Sequence, residues 1–339
     1  MKDLCHRAEE STLEPGSADH EKWQGKKLDE MRNFTAFLLM GFSDDPLLQK
    51  VYAMVFSLVY LAALTGNLLI IALTTADQHL QSPLYFFLKN LSFIDTCYIS
   101  VTVPKSIMNS LTNIYSISFL GCAMQVFFLF FLCGTEYALL LVMSYDRYAA
   151  ICHPLHYEVL MNRGSCVQMV MASWLGGCIY GALHTAGTFS VSFCETNKVS
   201  QFFCEVPSLL KLACSGETVL ENGLIIASSV VVLVCFIAML VSYVHIFSTV
   251  LKILSSKGRV KSLSTCLPHI AVVTLFLFSG FLTYVAENFV TSSLLKSLTS
   301  LLYTVLPPTV NPVIYSLRNQ ELQAALRNMI AGKCLGFSF

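Results

Sequence analysis

The chain has 339 residues, of which 55% are hydrophobic and only 12% charged, whereas an ordinary soluble protein carries about 25% charged residues. Together with a mean hydropathy of +0.64, this excludes a wholly disordered chain and leaves too few charges to cover a surface in water. Lys plus Arg and Asp plus Glu both number 21, so the overall basic field of a nucleic-acid-binding protein is absent.

Residues 1–50 precede the first apolar segment and are predicted to form an extracellular tail. Residues 1–30 are polar without apolar periodicity, which is typical of a disordered extension, and Met31 is a second candidate start. Because no signal-peptide core precedes residue 51, we expect the first span to direct membrane insertion. Asn33-Phe34-Thr35 is a glycosylation motif and predicts a glycan on Asn33.

Six segments lack Asp, Glu, Lys and Arg altogether and are long enough to cross a bilayer, which takes about 20 apolar residues. They are residues 51–76, 106–135, 164–194, 222–251, 262–286 and 297–317. A seventh candidate, 83–107, is interrupted by Lys89, Asp95 and Lys105. The pattern predicts an all-α membrane protein with a seven-transmembrane helix bundle over residues 51–317, since a spanning segment must satisfy its own backbone hydrogen bonds.

Lys and Arg near the ends of the spans predict the orientation. With the N-terminus outside, ten of them lie on the cytoplasmic side and six on the outer side. Residues 318–339 then form a cytoplasmic tail, for which we expect a short amphipathic helix. The predicted location is the plasma membrane, crossed several times.

The cysteines separate by side of the membrane. Cys194, Cys204 and Cys214 lie in a long outer loop between the fourth and fifth spans, and Cys122 opens the third span at the same face. Four cysteines in an oxidising compartment permit three pairings. The other nine are interpreted as packing thiols, and no Cys or His spacing typical of a zinc site occurs.

Two acids lie deep in adjacent spans. Glu136 is fourteen residues past Cys122 and eleven before Arg147, which places it roughly 21 Å from the outer mouth and 16 Å from the inner one. Asp95 lies about 18 Å deep by the same measure, and Asn67 and Asn311 can supply facing polar groups. Either the acids bind Na⁺ or a proton and stabilise one conformation, or they form a neutral packing cluster.

Asp146, Arg147 and Tyr148 end the third span at its cytoplasmic mouth. Eleven residues at 100° each bring Arg147 to within about 20° of the Glu136 face. An Arg at a helix end can simply extend into water, but the adjacent Asp favours a pairing switch.

These features together resemble a rhodopsin-like G-protein-coupled receptor, and within that class an odorant receptor. The matching blocks are LTGN at 64–67, PLYFFLKNLS at 83–92, MSYDRYAAICHPLHY at 143–157, the pair SY at 242–243, KSLSTCLPH at 261–269 and PTVNPVIYSLRN at 308–319. The resemblance covers about residues 31–329. One departure is Phe276-Leu277-Phe278, where the family usually has Phe-Tyr-Gly, so a phenol that often caps the ligand cavity is missing.

The resemblance implies disulfides from Cys122 to Cys204 and from Cys194 to Cys214. It also implies a mid-membrane cation site, with Na⁺ as a structural ion and no other cofactor or metal. The residues carried over to that site are Asn67, Asp95, Glu136 and Asn311.

For signalling, the resemblance implies that Asp146 holds Arg147 at rest. Activation would release Arg147, with Tyr243 and Tyr315 rearranging around it and Tyr148 beside it. The sixth span would then swing outward, and a heterotrimeric stimulatory olfactory G protein would dock on the inner loops and raise cyclic AMP.

The expected partners are membrane lipid and a small-molecule odorant, bound in an apolar cavity with one or two polar anchors. The candidate ligand contacts are Phe130, Cys133, Gly134, Tyr137, Ser228, Tyr284 and Thr304. No charged side chain is expected in the outer half of the spans, which predicts a neutral ligand. The alternative is an ion-coupled transporter using Asp95 and Glu136, although the internal repeats of such proteins are not evident. An enzyme is not expected, because no catalytic or metal-ligand spacing occurs.

Overall fold

The computed structural model of the protein describes residues 36–41, 45–194, 196–214, 218–252 and 256–331. Asn33, residues 1–30 and residues 332–339 lie outside the described residues. The described residues form seven long helices: α1 Pro46–Ala76, α2 Pro83–Thr112, α3 Phe119–Cys152, α4 Arg163–Phe189, α5 Val219–Lys252, α6 Ser256–Phe289 and α7 Ser293–Arg318. A shorter helix, α8 Gln320–Ile330, follows. The predicted seven-helix bundle is confirmed.

Polar side chains cap the N-termini of several of these helices, because the first backbone N–H groups of a helix need acceptors. The Asp45 carboxylate accepts from the Leu47 N–H at 2.8 Å ahead of α1. Ser118 accepts from the Gly121 N–H at 3.1 Å ahead of α3. Asn319 begins α8 by accepting from the N–H groups of residues 321 and 322.

Within the described residues, five helices are long and apolar enough to cross a membrane by composition alone: α1, α3, α4, α5 and residues 265–286 of α6. Charged side chains lower the hydropathy of α2, yet α2 is one continuous helix with Lys89, Asp95 and Lys105 along it. The most apolar helix is α5, and its Val230, Val231 and Leu233 side chains are exposed, as expected for a surface that faces lipid.

The centre of the bundle is α3, which contacts α2, α4, α5 and α6. Its contact with α4 depends on small residues, which let two backbones approach closely. A Cβ atom at Gly181 would lie 2.8 Å from the Phe127 carbonyl oxygen, and one at Gly177 would lie 2.9 Å from the Thr135 nitrogen. Any larger side chain at these positions would push α4 away from α3.

A small sheet covers the end of the bundle that the sequence predicts to face outward, which is called the outer end below; the opposite end is called the inner end. Strand β1 (Ala36–Leu39) lies between β2 (Ser116–Ser118), to which it is antiparallel, and β3 (Lys198–Val199), to which it is parallel. Phe37 of β1 is fully buried, with its ring centroid 5.3 Å from that of Phe193. Residues 36–39 of the predicted tail therefore form an ordered strand, and its last five residues, 46–50, belong to α1.

Two disulfides hold the outer loop against the helices. Cys122 is bonded to Cys204, with the Cα atoms 5.5 Å apart, and Cys194 to Cys214, with the Cα atoms 5.0 Å apart. These are the two pairings that the family resemblance implies. Gln125 reinforces the first, because its Oε1 accepts from the Cys204 N–H at 2.9 Å.

Candidate functional site

The middle of the bundle contains an acid pair that shares one amide. Asn311 Nδ2 lies 3.1 Å from Asp95 Oδ2 and 3.4 Å from Glu136 Oε1. All three side chains are at most 1% exposed. The structure therefore brings together three of the four residues proposed for the cation site, from α2, α3 and α7.

The fourth residue, Asn67, reaches α7 by a different route. Pro312 has no N–H and cannot bond to the carbonyl four residues before it, which is that of Pro308. Asn67 Nδ2 donates to this freed Pro308 oxygen at 2.8 Å, and a Cβ atom at Gly66 would lie 3.0 Å from Pro312 Cβ. Asn67 thus satisfies the α7 backbone next to the acid pair.

The acid pair has the chemistry of a proton or Na⁺ site. Two neighbouring carboxylates in a low dielectric do not both remain charged unless a cation balances them. The Asn311 Oδ1 atom is buried, and no described residue donates a hydrogen bond to it. Carboxylate and amide oxygens suit a hard cation, whereas no cluster of three or more His, Cys, Asp or Glu occurs in the described chain.

At the inner end of α3, Asp146 and Arg147 form a closed pair. Arg147 Nε donates to Asp146 Oδ2 at 2.8 Å, and Nη2 contacts the same oxygen. The other carboxylate oxygen accepts from the Tyr157 hydroxyl at 2.7 Å. Burial and the nearby Asp146 raise the pKa of Tyr157, so its phenol stays protonated and keeps donating.

The three tyrosines assigned to the switch have different surroundings. The Tyr243 hydroxyl bonds to His269 Nδ1, and His269 Nε2 lies 3.0 Å from the Leu140 carbonyl oxygen. A carbonyl only accepts, so His269 Nε2 carries a proton. The Tyr315 hydroxyl is buried, with no partner among the residues described here. Tyr148 lies apart from them, bonded to an exposed histidine.

That exposed histidine, His153, belongs to a groove on the inner face. Its Nε2 lies 3.0 Å from the Tyr148 hydroxyl. The groove has a volume of about 300 Å³ and is lined by Tyr145, Tyr148, Ala149, His153, His156 and Leu160. Leu155, in the turn that follows His153, is 93% exposed.

In the outer half, three of the ligand candidates converge on two aromatic residues of α4. The Phe130 ring stacks on His184 at a centroid distance of 4.5 Å, and Ser228 Oγ lies 2.9 Å from His184 Nε2. A Cβ atom at Gly134 would lie 2.8 Å from Tyr180 Cδ1. Phe130, Gly134 and Ser228 therefore belong to one group.

The remaining ligand candidates are dispersed. Cys133 Sγ lies 3.2 Å from the Tyr303 hydroxyl, and the Tyr137 hydroxyl donates to the carbonyl of residue 232 at 2.7 Å. Thr304 is fully buried but donates to its own helix, to the carbonyl of residue 300 at 2.9 Å. Tyr284 is 58% exposed and points away from the bundle interior.

The expectation that the outer half holds no charged side chain is wrong. Helix α5 begins at Val219, so Glu221 lies inside it and is fully buried. His184 Nδ1 lies 2.6 Å from Glu221 Oε1. The signals were an isolated His in an apolar span and an acid at the boundary of another. Sequence reasoning also assigned no role to Tyr157 and His269, although both lie in the matched blocks.

Known proteins match nearly all of the chain. A model of the family described as olfactory receptor matches residues 56–333. Olfactory receptor 14L1 of Homo sapiens is 54% identical over 291 residues, covering 86% of this chain and 90% of the relative. Olfactory receptor 14A16 of Homo sapiens is 53% identical, covering 88% and 96%. Olfactory receptor 1G1 of Gorilla gorilla gorilla is 42% identical, covering 91% and 97%.

Proposed function

Because this chain belongs to the olfactory receptor family, we propose that it binds a small odorant within the helix bundle and activates a heterotrimeric stimulatory olfactory G protein, which raises cyclic AMP. The observation that carries this proposal is that one helix, α3, contributes a residue to each of three side-chain groups, at the outer end, in the middle and at the inner end of the bundle. In α3, Phe130 lies in the outer group, Glu136 in the middle pair and Arg147 in the inner pair. A displacement at the outer group reaches the inner pair through a rigid element.

The inner layer supports the signalling step. Arg147 is held by Asp146, which is in turn held by Tyr157. Activation separates the pair and frees the guanidinium for a partner that enters from the cytoplasm. Tyr243 and Tyr315 rearrange in the same step, and Leu155 beside the groove offers an apolar contact for the G protein.

The middle layer supports a conformational role for a cation. A proton or Na⁺ held between Asp95 and Glu136 balances their charge and, with Asn311, stabilises the resting arrangement of α2, α3 and α7. The same acids would serve an ion-coupled transporter, which is the alternative function. An ion-flux measurement on the purified receptor in vesicles separates the two, because a receptor moves no net ions.

The outer layer supports the orientation. Strand β1 precedes α1 and pairs with the loops after α2 and α4, so the N-terminal segment lies at the end that carries both disulfides. Disulfides persist in oxidising compartments, which favours an outward-facing N-terminus in the plasma membrane. The Asp146–Arg147 pair, at the other end of α3, then faces the cytoplasm. A glycan on Asn33, seen as a mobility shift removed by an amidase, tests this orientation.

The decisive experiment is a cyclic AMP reporter screen against a broad odorant library. The full chain and a chain beginning at Met31 are expressed with the same surface tag, and surface levels are measured in each case. We expect dose-dependent responses from both chains. The absence of any response at normal surface levels would contradict the receptor function.

A further inference from the structure

A buried acid–histidine pair joins α4 to α5 in the outer half of the bundle, and the signalling scheme above does not use it. His184 Nδ1 lies 2.6 Å from Glu221 Oε1, and Nε2 of the same ring lies 2.9 Å from Ser228 Oγ. His184 is 1% exposed and Glu221 is fully buried. The second carboxylate oxygen, Glu221 Oε2, has no hydrogen-bond partner in the described parts of the chain. Leaving such an oxygen unpaired away from water is costly.

Gly187 brings this unpaired oxygen against the α4 backbone. A Cβ atom at Gly187 would overlap Glu221 Oε2 and lie 2.9 Å from Leu224 Cδ1. The next residue, Thr188, is fully buried, and its hydroxyl also has no partner among the described residues. Helices α4 and α5 therefore each carry a buried polar atom here that can still form a hydrogen bond.

Two aromatic rings pack against the histidine of this pair. Phe130 of α3 stacks on the imidazole with an interplanar angle of 26°, and Tyr180 meets it edge-on at a centroid distance of 4.6 Å. These rings hold the imidazole plane in place and offer apolar surface to a carbon skeleton. Small-molecule sites are usually lined by apolar side chains together with a few polar groups that fix the orientation of the ligand.

We propose that Glu221 Oε2 accepts a hydrogen bond from the hydroxyl group of the odorant, with His184 as the residue that positions the carboxylate. This inference rests on the proposed function and narrows its ligand to small neutral alcohols. The 2.6 Å separation between His184 Nδ1 and Glu221 Oε1 holds the carboxylate against the imidazole, which leaves Oε2 as the acceptor without a partner among the described residues. A hydroxyl group completes the pair without adding net charge to a low-dielectric site, whereas an ammonium or carboxylate group adds one.

We expect the receptor to prefer an alcohol, which can donate a hydrogen bond, over the methyl ether with the same carbon skeleton. A site built to bind a hydroxyl discriminates against a ligand that lacks it, because the buried acceptor is then left unpaired. A hydrogen bond to a charged group contributes enough for at least a ten-fold difference in half-maximal concentration. We therefore expect a methyl ether to be at least ten-fold weaker than the alcohol with the same skeleton.

The test uses the full chain with a surface tag and a cyclic AMP reporter. The probes are hexanol, octanol, cyclohexanol and phenylethanol, each compared with its methyl ether and with the amine and carboxylic acid of the same skeleton. In Glu221→Gln we expect the alcohol-to-ether ratio to fall towards one. Gly187→Ala displaces the carboxylate and should have the same effect. Its matched control is Gly176→Ala, since a Cβ atom at Gly176 meets nothing within 4 Å.

A second pair of variants leaves every charged side chain in place, so the proposal can still be tested if Glu221→Gln does not reach the cell surface. Ser228→Ala takes a partner from His184 and should weaken the alcohols by several-fold relative to the ethers. Ser229→Ala is the control, because that hydroxyl donates to the Ile225 carbonyl at 2.7 Å on the exposed side of α5.

The outcomes separate the two proposals. Equal potency of alcohols and ethers on the unaltered receptor overturns the hydroxyl site, as does a ratio that survives in Glu221→Gln or Gly187→Ala at normal surface level. In either case, a response to odorants leaves the receptor function in place. Activation by the amines or acids alone also overturns the hydroxyl site. No response to any odorant overturns both.

Discussion

The Tyr157 hydroxyl stabilises the closed inner pair, and its removal should raise signalling in the absence of odorant. In Tyr157→Phe, Asp146 Oδ1 loses a donor that lies 2.7 Å away. Hydrogen bonds to charged groups contribute about 1.5–3 kcal/mol, and about 1.4 kcal/mol corresponds to a factor of ten. If this bond exists only in the closed state, the ratio of open to closed receptor rises about ten-fold or more. Basal cyclic AMP should rise accordingly.

The measurement is basal cyclic AMP per receptor at the cell surface, without odorant. Tyr60→Phe is the matched control, because it removes a phenol hydroxyl that bonds to Ser100 at 3.1 Å on the exposed side of α1 and α2, far from Asp146. Equal basal signalling in Tyr157→Phe and Tyr60→Phe would refute the role assigned to this hydrogen bond. A rise in both would point to general destabilisation of the bundle.

The other layers give three further predictions. Asp95→Ala and Glu136→Ala should each change basal or odorant-driven signalling, because each removes half of a charge-sharing pair; unchanged dose–response curves in both would contradict the cation site. Cys204→Ser should abolish surface delivery or signalling. Cys178→Ser, at an exposed free thiol of α4, is the control and should be tolerated. Normal surface levels of Cys204→Ser would argue against a structural need for the disulfide of Cys204. Leu155→Asp should lower odorant-driven cyclic AMP by several-fold at unchanged surface level, and a full response would exclude this side chain from the G-protein contact.

Six of the seven helices could be predicted directly, because a span in lipid must be apolar and six segments of the chain carry no charge. Helix α2 carries Lys89, Asp95 and Lys105 and was predicted only in the company of the other six. The sequence was sufficient for the general depth of Asp95, Glu136 and Arg147, since a helix rises by a fixed amount per residue. Those positions follow from counting along one chain segment, without knowledge of its neighbours.

Contacts between segments were harder to predict. Strand β1 has four residues and forms only because two distant loops supply its partners. The His184–Glu221 pair joins residues 37 positions apart on helices whose relative rotation the sequence leaves open. Tyr284 was assigned to the cavity by its depth alone, and its rotation about the α6 axis turns it outward. The depth of a residue in the membrane follows from its position along its own helix, whereas the direction in which its side chain points depends on how the helices pack against one another.

The region of α7 around Pro312 shows how a sequence feature that weakens one helix binds it to the others. Pro312 leaves a carbonyl without a donor in a medium that cannot supply one. Asn67 supplies it from α1, and the next side chain before Pro312, Asn311, joins the acid pair from α2 and α3. Four helices therefore share one polar layer that none could satisfy alone. Any motion of α7 must exchange these bonds together, which makes the layer suited to two discrete arrangements and to control by a single proton or cation.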